Sequence, residues 1–150
     1  MKTPAKSLKS RIAGMWWLES RIDVDFTGQR RIDPIMGADP LGVVCFAAER
    51  FSAQFMRRDR SPASGPAPAG AAANNSSAVN GYDAYFGSYT LDEAAGTLRT
   101  KLEGAVTPAN IGSVFERHVE IAGDQLTIRL ATTAADGTAI TRTLTFRRLS

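Results

Sequence analysis

Along most of this chain polar and apolar residues alternate with a period of two, which is the repeat of a strand and not of a helix. In WWLESRIDV that period places Trp16, Leu18 and Ile22 on one face and Trp17, Glu19, Arg21 and Asp23 on the other. LGVVCFAA and FSAQFMRR are two further strand-like runs around the short turn 48–50, and YDAYFGSYTL, the turn DEAAG and TLRTKLEGAV follow. SVFERHVEI, the turn 122–124, QLTIRLATT, the turn ADG and AITRTLTFRRL complete the series. The pattern predicts about eight strands, joined mostly by hairpin-sized turns that contain Gly or Asp. Helical spacing is confined to one short turn within residues 4–13. Eight sequential antiparallel strands, each with one apolar face, hide that face by closing into an all-β up-and-down barrel. A sandwich of two sheets is the competing architecture.

The alternation also sorts side chains into inside and outside. Phe51, Ala53, Phe55 and Arg57 share a face, as do Tyr85, Gly87, Tyr89 and Leu91. Leu98, Thr100, Leu102 and Val106 share another, followed by Phe115, Arg117, Val119 and Ile121, and by Leu126, Ile128 and Leu130. The expected interior is therefore apolar, with two tyrosines, Thr100 and two arginines set into it. A desolvated guanidinium needs an anionic or hydrogen-bonding partner. An eight-stranded barrel either fills with its own side chains or holds one small ligand. An apolar lumen with a few polar groups is the usual make-up of a small-molecule site. Gly87, between the two tyrosines, is expected to leave room in that lumen.

One stretch breaks the pattern. SPASGPAPAGAAANNSSAVN, 61–80, contains no charge and a single large apolar residue, Val79. It cannot bury enough surface to offset its ordering entropy, so it is expected as a long flexible loop within one domain spanning 1–150. Loops of this length in compact domains often serve as lids or binding loops.

Composition narrows the function classes. With 43% apolar and 22% charged residues the 150-residue chain reads as an ordinary soluble globular protein. Its net charge of +3 is concentrated in Lys2, Lys6, Lys9 and Arg11, an N-terminal arm without acids, so the remainder is near neutral and no nucleic-acid surface is expected. No apolar run is long enough to span a bilayer, and none follows the basic start as a signal peptide would require. A cytoplasmic protein without membrane partners, monomeric or homodimeric, is the expectation. Cys45 is the only cysteine and lies in an apolar strand, where an inert thiol is the natural reading. His118 is the only histidine and takes the solvent side of its strand, which leaves little for a catalytic triad or a metal site. No zinc spacing, P-loop or dinucleotide fingerprint occurs, so no cofactor and no metal are expected. RRDR at 57–60 reads as a basic loop flank. Asp83 and Glu103 are acid or base candidates only where burial perturbs them, and Glu103 takes the solvent side.

Several stretches taken together carry a resemblance. GMWWLES (Gly14, Met15, Trp16), GADPLG (37–42), FSAQFMRRDR (51–60), YDAYFGSYTLDEAAGTL (82–98) and PANIGSVFERHVEIAGDQLTI (108–128) follow, in order and spacing, the pattern of the lipocalin-like domain family, relatives of the calycin barrels. The resemblance implies that Trp16 closes one barrel end beneath an arginine of the last strand, Arg148 or Arg147. It also implies that Arg117 stands where the family usually has an arginine. Many relatives carry a histidine near RTKLEG, where this chain has Thr100 and Lys101. Family members resemble binding proteins, and some such barrels act as cyclases or isomerases.

The reading that follows is a barrel that binds a small hydrophobic molecule with a polar or anionic oxygen, as a carrier or sensor. Phe55, Arg57, Tyr85, Tyr89, Thr100 and Arg117 are its expected ligand contacts. The alternative is a cofactor-free cyclase or isomerase using the same pocket, with Tyr85, Tyr89 and Arg117 as the reacting groups.

Overall fold

The computed structural model describes residues 6–60 and 80–150. A short helix α1 (Leu8–Ile12) precedes nine strands: β1 (Gly14–Asp25), β2 (Arg30–Arg31), β3 (Leu41–Phe46), β4 (Arg50–Met56), β5 (Tyr82–Asp92), β6 (Thr97–Ala105), β7 (Val114–Ala122), β8 (Gln125–Thr133) and β9 (Ala139–Arg148). All pairings are antiparallel, each strand from β3 to β9 pairs with the next, and β9 returns to β1 from Trp16↔Arg148 to Asp25↔Ile140. The result is a closed eight-stranded barrel, with β2 as one extra strand folded against the far end of β1. Closure leaves the eight wall strands without an open edge, which is what the alternating pattern requires.

One barrel end is plugged. Leu8 and Ile12 of α1 are buried against Trp16, whose indole Nε1 donates to Ile12 O at 2.8 Å. Glu93, in the β5–β6 turn, accepts from the amides of Leu8 (2.8 Å) and Lys9 (3.1 Å), satisfying donors that a helix start leaves open. Arg148, not Arg147, lies over the Trp16 ring at 4.2 Å and donates to the carbonyls of Ala13 and Arg11. That stack combines a cation–π contact with the capping of a helix C-terminus. At the other end the strands open towards the turn 33–37, a 3-10 turn (Pro108–Asn110) and the β8–β9 connection.

Two β-bulges overturn parts of the expected inward face. In β1, Leu18 pairs with Phe146 but Ser20 pairs with Thr145, so Glu19 is an extra residue. An inserted residue reverses the alternation beyond it. Ile22 accordingly faces outward at 39% exposure, whereas Arg21 and Asp23 are buried. In β6, Gly87 pairs with Leu102 and Phe86 with Gly104, leaving Glu103 as the extra residue. Val106 therefore turns outward and Ala105 takes its place inside. The second bulge also explains Gly87 differently from expectation. A Cβ there would lie 1.8 Å from the Lys101 carbonyl oxygen, so the glycine permits close approach of β5 to β6 and leaves no room in the lumen.

The expected loop 61–80 lies outside the described residues except for Asn80. The wall on either side of it is continuous: Met56 pairs with Tyr82, and the Arg57 amide donates to Gly81 O at 2.7 Å.

The plug makes a quantitative expectation. Trp16 is fully buried while Trp17, on the outer side, is not. Trp16→Ala should cost about 3–5 kcal/mol, in the range of buried aromatic truncations, and Trp17→Ala far less. Urea unfolding of the two variants checks this, and equal losses would contradict the assigned inward face of β1.

Candidate functional site

The barrel encloses a cavity of about 360 Å³. Its lower wall is apolar, built from Phe46, Phe51, Leu98, Leu102, Leu144 and Phe146. Met36, Asn110 and Thr132 line it from the open end, which is the mouth. Four strands contribute ionisable groups to the wall: Arg21 from β1, Asp83 and Tyr85 from β5, Arg117 from β7 and Arg142 from β9.

Two of the arginines are held in ion pairs. Arg142 grips Asp23 with both ends of its fork, Nε to Oδ1 at 2.8 Å and Nη2 to Oδ2 at 3.1 Å. Arg21 Nη2 stands 3.5 Å from Asp33 Oδ2 and 4.0 Å from Asp23 Oδ2. All four side chains are at most 10% exposed, so the set is nearly desolvated and its two positive and two negative charges balance. Burial lowers the Arg21 pKa, with Arg142 acting in the same direction and Asp23, Asp33 and Tyr85 opposing.

Asp33 also shapes the mouth. Its Oδ1 accepts from the amides of Ile35 (2.7 Å) and Met36 (2.9 Å), and the Gly37 amide closes the turn on Asp33 O at 2.8 Å. Gly37 has φ of 78°, which favours a residue without Cβ. This turn drives Met36 into the barrel mouth, where it is 2% exposed.

Arg117 is placed differently. Its guanidinium lies over the Phe115 ring at 4.8 Å and donates to Glu116 O at 3.2 Å. Among the described residues no carboxylate pairs with it. Desolvation lowers its pKa, partly offset by Tyr85, while Arg142 adds repulsion. The Tyr85 hydroxyl is pushed up to about 12, first by burial and then by Asp83, with the three arginines 117, 142 and 21 opposing. That mutual influence marks these groups as one cluster.

Of the residues singled out from sequence, Phe55, Tyr85, Thr100 and Arg117 line the cavity. Arg57 and Tyr89 do not. Beyond Met56 the chain leaves the wall, and Arg57 Nη1 is taken by the carbonyls of Pro34 (2.7 Å) and Ile35 (3.2 Å), so it clamps the mouth turn from outside. Tyr89 sits at the plugged end, edge-on to Phe46 at 5.2 Å beneath Lys9, with its hydroxyl donating to Ala47 O. Arg21 and Arg142 were missed. Arg142 alternates with Ile140, Leu144 and Phe146 and was detectable by parity, whereas Arg21 was hidden by the bulge at Glu19.

Other candidates lie outside the cavity. Glu103 is on the outer surface 3.3 Å from Arg50, and His118 is exposed 3.3 Å from Glu120. Among the described residues no group of histidine, cysteine or acidic side chains is arranged to hold a metal ion, and no helix is long and apolar enough to cross a membrane.

A closed antiparallel barrel, plugged beneath a tryptophan–arginine stack and hollow above it, defines the calycin class. Within that class the family is specific: a family described as the lipocalin-like domain matches residues 13–149, and the chain belongs to it. No curated protein matches the chain closely.

The buried charges yield two expectations. Arg142→Met removes the bidentate partner of Asp23 and should cost about 3–5 kcal/mol. The double variant Asp23→Leu/Arg142→Met should lose markedly less when unfolded in urea, since no stranded charge remains. For Tyr85, the folded value near 12 lies above the ordinary 10. The unfolded chain then sheds this proton first, so stability is intact below pH 10 and falls as pH rises towards 12. Tyr85→Phe should flatten that decline, as read from denaturant melts at both pH values.

Proposed function

We propose that this protein binds a small apolar molecule bearing an anionic or strongly accepting oxygen, with the oxygen against Arg117 and Tyr85 and the apolar body in the lower cavity. The observation that carries the reading is the Arg117 guanidinium, partly desolvated in the cavity wall without a carboxylate partner among the described residues. A charge-assisted hydrogen bond from a ligand oxygen would offset that desolvation. Tyr85 supports the same oxygen, because a phenol that ionises only near 12 remains a donor at physiological pH. Phe55 and Thr100 are proposed as further contacts from the wall. The volume, about 360 Å³, sits at the low end of ligand pockets, which suits one compact ring system. Carriage or sensing needs nothing beyond such binding.

Calorimetric titration with 2-naphthoate tests the assignment. Wild-type protein should bind it, and Arg117→Met should weaken binding by about 10- to 100-fold, the equivalent of ~1.5–3 kcal/mol for a hydrogen bond to a charged group. Tyr85→Phe should weaken it less. Undiminished affinity in Arg117→Met would remove that residue from the site.

A further inference from the structure

Asp83 is the one carboxylate among the described residues lining the cavity. Asp23 and Asp33, the other buried carboxylates, do not line it. Asp83 sits two residues before Tyr85 on the same inward face of β5, which sets their Cα atoms about 7 Å apart. Asp83 is 7% exposed, and its carboxylate acts electrostatically on the Tyr85 hydroxyl, which in turn feels Arg117. The wall thus presents a carboxylate, a phenol and a guanidinium to one cavity, with the carboxylate and the guanidinium both acting on the phenol.

We propose that the cavity is a proton-transfer site for enolisable apolar ketones, with Asp83 as the base and Tyr85 and Arg117 holding the carbonyl oxygen. The inference rests on the binding mode proposed above and adds turnover to it. Asp83 takes a proton from the carbon next to the carbonyl, the C–H electron pair becomes the C=C bond, and the carbonyl π pair moves onto oxygen. The enolate oxygen accepts from Arg117 and Tyr85. The Asp83 carboxylic acid then returns the proton, to the same carbon or, in a conjugated substrate, to the far end of the enolate, which isomerises it. No oxidant, reductant or other co-reactant enters this balance. The step moves one negative charge from Asp83 to an oxygen near Arg117 without changing the total charge of the site. A low-dielectric cavity therefore opposes it little, and preoriented donors favour it.

The probe is 2-tetralone in D₂O, with loss of the C1 and C3 proton signals followed by NMR and binding followed by saturation transfer. Wild-type protein should bind the ketone and exchange those protons at least tenfold faster than an equal concentration of Asp83→Asn. Saturating 2-naphthoate should suppress the exchange, a control that remains decisive where Asp83→Asn folds poorly. Exchange that is no faster than background in protein that binds 2-tetralone overturns the proton-transfer role and leaves the binding reading intact. Binding of 2-naphthoate but not of the ketone overturns it equally. Failure to bind either compound removes both readings.

Discussion

Backbone pairing between β1 and β9 removes the last two sheet edges of the wall, and the inside of the barrel exists only because that seam is made. β1 has to pair on both sides at once: its first half faces β3, its second half faces β2, and nearly its whole length faces β9. A flat twelve-residue strand curves poorly around so small a barrel. The extra residue Glu19 supplies the bend, as bulges do at barrel corners. Its second effect is chemical, because the reversal of faces turns an aliphatic side chain outward, brings a guanidinium to the lumen and buries a carboxylate beside it.

Those buried charges are expensive to hold, and the structure holds them by neutralising them in place. Asp23 lies on β1, Arg142 on the neighbouring β9, and their fork-like contact spans the closing seam. Arg21 extends the set to Asp33 and so to the turn that carries Met36. A buried pair of this kind adds little net stability relative to well-packed hydrophobes. What it adds here is position: the mouth turn is fixed to the wall by Arg21 from within and by Arg57 from outside.

Much of this was legible in the alternation of residues. Strand number, hairpin order and the buried Trp16 follow from a period-two pattern, because burial of one face is the dominant force on each strand. Arg117, Tyr85, Thr100 and Phe55 were placed inside for the same reason. Two kinds of information were not there. Parity reports inside or outside but not height along the barrel, so Tyr85 and Tyr89 looked equivalent although four residues of strand separate them by about 13 Å. One lies in the cavity and the other under the helical plug. Bulges leave no mark in composition either, so Arg21, Asp23 and Val106 were misread wherever a strand gains a residue. Arg57 failed for a third reason, since its strand ends one residue earlier and its side chain belongs to a turn.

The seam between β1 and β9 also sets an order of events during folding. Hairpin neighbours along the chain meet at small cost in loop entropy, but Arg142 reaches Asp23 across 119 positions and Arg148 reaches Arg11 across 137. Contacts of such separation are slow to form and raise the contact order of the whole domain. The indole of Trp16 can be sheathed by Arg148 only after the barrel has closed. The sheathing of that indole therefore marks the last stage of the folding reaction, after the neighbouring hairpins have formed.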